Sequence, residues 1–207
     1  MLNAALVHSG VVGTEHWFVD SADIRYRIER ITDPWRPNFA HDDLIIVPNG
    51  ANHVALYEAR TAIAGVLARG AVLACFCGFF TPWIPGSTWR HDNSKPLRAT
   101  RYHLRQDPLG LFDGVAVDDL TFEAHGISGW WACGEILTTH ADSIVLVDNW
   151  DRVLLIADQH STPGLIIATA SGPLGDDSPA TVAQGPRLLY RNILRAARKH
   201  LDNRRHV

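Results

Sequence analysis

Short apolar runs without alternation recur along the chain, each closed by glycine, proline or asparagine. Residues 3–8 carry Ala4, Ala5, Leu6 and Val7 in succession, and Gly10 and Gly13 then break the run. Residues 44–47 read Leu-Ile-Ile-Val and stop at Pro48-Asn49-Gly50; residues 71–76 form a third run after Gly70. A run that is apolar at every position and too short for a helix predicts a strand buried on both faces. Between the first two runs, Thr14 suits an N-cap and residues 15–31 predict a helix, with Pro34 and Pro37 marking a loop. Residues 52–69 predict a second helix, with Leu56, Ile63, Val66 and Leu67 near one face and Gly70 past its end. Strands alternating with helices predict an α/β fold, a mostly parallel sheet with helices on both faces.

The middle of the chain breaks this rhythm. Residues 79–107 are rich in Pro, Trp, Arg and His and show no long period. Long loops inside compact domains tend to be functional or disordered, and Trp83 and Trp89 argue for order. Residues 115–123 and 129–136 predict strands of an inserted β region. Residues 143–148, 153–157 and 165–170 predict a strand, its hairpin partner and a closing strand, and residues 186–201 an amphipathic helix carrying Leu188, Leu189, Ile193 and Leu194. The expectation is one domain over 1–207, with a Trp-rich inserted region at about 79–136.

Composition narrows the function classes. An apolar share of 46% and a charged share of 20% are ordinary for a globular domain. A net charge of −3 supplies no basic field for nucleic acid. Lys95 and Lys199 are the only lysines, an arginine bias that reads as the genomic signature of a GC-rich bacterium. No apolar run reaches bilayer length, and the first residues, Met1-Leu2-Asn3-Ala4, lack a signal-peptide pattern. Cys75, Cys77 and Cys133 make no disulfide framework; Cys75 and Cys77 would face opposite sides of a strand. A reducing cytoplasm is expected.

Two stretches carry a family resemblance. Asp43 to Gly50 ends in Pro48-Asn49-Gly50, and Gly70 to Gly78 ends in Ala74-Cys75-Phe76-Cys77-Gly78. Together they resemble the middle of class I glutamine-amidotransferase-like proteins, in which a Pro-Gly-Gly turn supplies oxyanion-hole amides and a Gly/Ala-x-Cys-x-Gly elbow carries the nucleophile. The resemblance implies a flavodoxin-like fold and puts Phe76 at the nucleophile position. The triad's His and Glu after the closing strand are replaced by Ser171-Gly172-Pro173. A degenerate elbow of this kind is similar to the trehalose-utilisation (ThuA-like) branch. So are Glu15-His16-Trp17, Asp107-Pro108-Leu109 with Gly114, and the stretch Gly164 to Gly172. In these families dimers are common.

Several residues are candidates for chemistry. Cys77 would sit at the carboxyl end of a parallel strand, where α/β folds place ligands; its alternative is a small buried hydrophobe. In Trp89-Arg90-His91-Asp92-Asn93-Ser94-Lys95, His91 and Asp92 form a candidate acid/base pair, with Trp89 and Lys95 as ligand contacts. The alternative is a solvated loop held by Asx turns. In the stretch 125–135, His125 is a third acid/base candidate, and Trp130 and Glu135 are candidate binding residues. His16, Trp17, Asn49, Gly50 and Asn52 should gather at the same sheet edge, Asn52 with an alternative as an N-cap. No spacing points to a metal, and no cofactor is expected.

The leading expectation is therefore a ThuA-like domain that binds and acts on a small polar molecule, a carbohydrate being one candidate. It would use His/Asp acid–base chemistry and would not hydrolyse glutamine. The first alternative is a non-catalytic amidotransferase-like module for binding or assembly, including a homodimer. The second is a cysteine hydrolase using Cys77. Neither nucleic acid nor a membrane is an expected partner.

Overall fold

The computed structural model describes residues 1–76, 78–121, 132–177 and 184–205. The strands are β1 (Leu2–His8), β2 (Ile24–Arg30), β3 (Leu44–Val47), β4 (Val72–Cys75), β5 (Ser87–His91), β6 (Tyr102–Leu104), β7 (Gly134–Thr138), β8 (Ile144–Asp148), β9 (Val153–Asp158) and β10 (Leu165–Thr169). The helices are α1 (His53–Glu58), α2 (Arg60–Ala68) and α3 (Gln184–Arg205). Eight strands form one sheet in the order β2-β1-β3-β4-β10-β9-β8-β6, and β5 pairs with β7 in a separate two-stranded ribbon. From β2 to β10 the neighbours run parallel; β9, β8 and β6 extend the sheet in antiparallel fashion.

Burial follows from the apolar runs. Every residue of β3, β4 and β10 is buried, so side chains on both faces of the parallel half are covered. On one face Tyr190 of α3 meets Phe76 edge-on at 5.9 Å and Phe18 at 5.8 Å. Asn192, buried in the same helix, donates to the carbonyls of Leu111 and Asp113 and ties the middle segment to α3.

Three expected elements differ. Residues 15–31 do not form a helix: Thr14–Trp17 is a single 3₁₀ turn, and Ile24–Arg30 is the edge strand β2. Its sequence Ile-Arg-Tyr-Arg-Ile-Glu-Arg is polar because only one neighbour covers it, and charge on an edge discourages further pairing. The expected helix over 52–69 is two short helices meeting at Ala59, begun by Asn52, whose side chain accepts from the N–H groups of Val54 and Ala55. Within the expected strand 115–123, Val117–Leu120 is a 3₁₀ turn. The inserted region instead supplies β5, β6 and β7.

Candidate functional site

The order of the parallel strands reverses direction at β1. The chain passes from β1 outward to β2 and then returns to place β3 on the other side of β1. In open α/β sheets the loops leaving two such strands part at their carboxyl ends and leave a crevice for ligands. Here the loop after β1 begins at Ser9 and the loop after β3 at Pro48. They touch: Asn52 N–H donates to Ser9 Oγ at 2.8 Å. Gly50, at φ 84°, leaves room that the Val11 side chain occupies; a Cβ there would lie 3.0 Å from Val11 Cγ2.

At this edge stands a pair that the apolar pattern concealed. His8, the last residue of β1, is only 5% exposed. Its Nδ1 accepts from the Gly10 N–H at 3.1 Å, with Arg30 Nη1 at 3.4 Å on the same atom. The ring proton is thereby placed on Nε2, which donates to Glu15 Oε2 at 2.9 Å. Glu15 is partly open to solvent. A hydrogen bond from its own backbone N–H, and then the one from His8, hold its carboxyl below the ordinary range. It is an ionised acceptor at neutral pH. The available signal was a histidine closing a buried strand just before Ser9-Gly10.

Residues expected at this edge arrive there with different duties. His16 is exposed on the 3₁₀ turn beside Glu15. Trp17 packs against the core, and its carbonyl accepts from the Asp177 N–H at 3.1 Å. Asn49 and Gly50 form the turn after β3. The Asn52 side-chain oxygen is committed to capping α1. His53 is buried; its Nδ1 accepts from Trp83 Nε1 at 3.0 Å, and burial lowers its pKa to about 4.

A second group lies on the β5–β7 ribbon. The register sets Arg90 opposite Glu135 and His91 opposite Gly134. Arg90 Nε donates to Glu135 Oε1 at 3.1 Å, so Glu135 is an ion-pair partner. Asp92 Oδ1 accepts from the Ser94 N–H at 2.8 Å, an Asx turn, and Arg152 Nη1 stands 3.5 Å from Oδ2. Bonding to Ser94, assisted by Arg152, holds the Asp92 carboxyl below its ordinary range. His91 is exposed, its ring 5.8 Å from that of Trp89. Lys95 Nζ lies 5.9 Å from the centre of the Trp150 ring. The Trp89 indole is pressed on the backbones of Gly78 and Gly134, and its Nε1 is buried with no hydrogen-bond partner among the described residues. The ribbon thus covers the β4 exit, while the β1/β3 exits carry His8 and Glu15.

Phe76, which the resemblance sets at the nucleophile position, is fully buried against Tyr190. Its N–H continues the ladder to the Val47 carbonyl at 2.8 Å. Cys77, His125 and Trp130 lie outside the described residues. Among the described residues no group of three or more His, Cys, Asp or Glu side chains is placed to hold a metal.

No family model matches this chain, and no curated protein matches it. Solved structures do. Cytoplasmic protein STM3548 from Salmonella typhimurium superposes with a TM-score of 0.60 at 9% identity, over 94% of this chain and 98% of that one. Cytoplasmic protein STM1381 from Salmonella typhimurium LT2 gives 0.58 at 10% identity, over 95% and 99%. Exo-beta-1,4-mannosidase Op5Man5 from Opitutaceae bacterium strain TAV5 aligns through 35% of its length at 0.48 and 12% identity, a likeness too loose to bear on function. The first two likenesses define the fold class: a mostly parallel eight-stranded mixed sheet with a small accessory ribbon. Among the described residues no helix is long and apolar enough to cross a membrane.

Proposed function

We propose that this chain is an amidotransferase-like domain of the trehalose-utilisation kind that binds a small, hydroxyl-bearing molecule, a carbohydrate being the expected class. The molecule sits in the crevice between the exits of β1 and β3. The observation that carries this reading is the Glu15 carboxylate, held by buried His8 where the strand order reverses. An ionised carboxylate with one oxygen fixed by an imidazole accepts hydrogen bonds from hydroxyl groups. His16, Asn49 and Gly50 stand on the same two loops and supply the further polar contacts.

We rest the ligand contact on Glu15 and not on His91, Asp92 or His125, because Glu15 stands where the strand order reverses, whereas Asp92 lies on the ribbon side with Ser94 and Arg152. Glutamine hydrolysis is not part of the proposal: Phe76 offers no nucleophile and is turned into the core. The doubly wound order of the parallel strands and the positive φ at Gly50 support the amidotransferase-like assignment. We place the domain in the cytoplasm, as the names of its two structural neighbours state of those proteins. A thermal-shift screen with mono- and disaccharides tests the reading: a stabilising sugar supports it, and a panel without effect up to tens of millimolar counts against it.

A second reading has its own observation. Val12 is 95% exposed and Phe80 63%, with Val11 and Val54 also exposed. Val11 sits on Gly50, and the Phe80 ring lies 5.1 Å from that of His53. An apolar rim of this kind suits docking of a second copy. Sedimentation velocity separates the readings: a dimer dissociated by Phe80→Ser supports assembly, and a concentration-independent monomer leaves only ligand binding.

A further inference from the structure

A groove of about 530 Å³ lies far from the crevice, between α3 and the first residues of β1 and β2. That volume suits a small molecule. Leu2, Ile24 and Leu194 line it together with Ser21, Asp23, Asp176 and three arginines of α3. Arg191, Leu194, Arg195 and Arg198 follow one another at helical spacing and so share one stripe of α3.

Two of the groove's three arginines are already paired, and the Asp176 carboxylate shares the groove with the third. Arg198 is taken by Asp23, through Nη1 to Oδ1 at 2.8 Å and Nη2 to the carbonyl at 2.6 Å. Arg195 is taken by Asp113 at 2.8 Å and the Gly110 carbonyl at 2.9 Å. Asp176 turns Oδ2 toward the Tyr26 hydroxyl at 3.0 Å and the Val19 N–H at 3.3 Å. Arg191 lines the same groove and has no partner among the described residues. A guanidinium is charged at every working pH and suits the planar fork of a carboxylate. Beside it lie aliphatic side chains and the stems of the flanking arginines, which hold apolar matter as readily as water.

We infer that this groove is a second ligand site, for a small organic acid whose carboxylate pairs with Arg191 and whose short hydrocarbon body lies against Leu2, Ile24 and Leu194. The Ser21 hydroxyl is a further donor at its wall. The site is independent of Glu15 and of the crevice.

The test is an NMR titration of the 207-residue chain with acetate, butanoate, hexanoate and inorganic phosphate. Saturable shifts should centre on Arg191 and Leu194, and affinity should rise two- to fourfold for each added methylene that is buried. Arg191→Gln should weaken hexanoate at least tenfold, Arg191→Lys should restore part of the loss, and Arg36→Gln should change nothing. Four results would overturn the site: no saturable shift with hexanoate, equal binding of acetate and hexanoate, unchanged binding in Arg191→Gln, or shifts centred on Glu15 and Gly50. The last would report on the crevice, so this inference and the proposed function fail separately.

Discussion

The indole of Trp89 lies directly on the backbone of Gly78, so close that a Cβ on Gly78 would stand 2.5 Å from the ring. Gly78 follows β4 in the chain, and Trp89 belongs to the β5–β7 ribbon. This contact seats the ribbon over the β4 exit. Gly78→Ala should therefore cost about 1–3 kcal/mol, the usual range for overpacking. Because the clashing atoms all belong to the Trp89 side chain, Trp89→Leu should relieve much of that cost. A double-mutant cycle by urea unfolding reads the coupling. Additive losses would mean that the two residues do not bear on each other.

Phe76 directly follows β4. Its ring is fully buried, edge-on to Tyr190. Phe76→Cys should therefore create a protected thiol and not a nucleophile. Native-state alkylation at position 76 should be slow and should follow global unfolding. Stability should fall by about 2–4 kcal/mol for the cavity left behind. Fast alkylation in the folded protein would show that position 76 is open to solvent.

The strands were legible in the sequence where burial on both faces left unbroken apolar runs, as at Leu44–Val47 and Leu165–Thr169. The edge strand Ile24–Arg30 was not, because exposure on its open side admits arginine and glutamate at positions that imitate a helix. The site was half legible. The loops after β1 and β3 could be placed at one edge, and Asn49, Gly50 and His16 are there. His8 was hidden because a buried histidine ending a strand looks like part of the run, and its partner Glu15 lies seven residues on, brought back only by the turn through Gly10 and Gly13. The His91–Asp92 pair looked chemical in sequence. The Asx turn to Ser94 is the alternative that the local sequence offered, whereas the reach of Arg152 from the β8–β9 turn is a tertiary contact that no local pattern announces.

His53 gives the fold a pH dependence of known sign. Burial lowers its pKa to about 4, below the ordinary value of 6.5. The folded state therefore favours the neutral ring, and its contribution is fully present above pH 6.5. It is lost as pH falls from about 6.5 to about 4, where the unfolded chain binds the proton first. The total is on the order of 3 kcal/mol. His53→Gln keeps an acceptor for the Trp83 Nε1 and should flatten the dependence of urea midpoints between pH 6.5 and 4.5. An unchanged slope would place the proton elsewhere.

Glu15, steadied by His8, is the proposed binding group between the exits of β1 and β3. The most direct measurement is an NMR titration with glucose, trehalose and related sugars, carried out on the wild type and on Glu15→Gln. Glu15 is partly exposed, so this substitution leaves the core untouched. The expected result is saturable binding by at least one sugar, with shifts at Glu15 and Gly50. That sugar should bind 10- to 100-fold more weakly to Glu15→Gln, as befits loss of a hydrogen bond to a charged group. Binding that is unchanged in Glu15→Gln, or shifts confined to the β5–β7 ribbon, would contradict it.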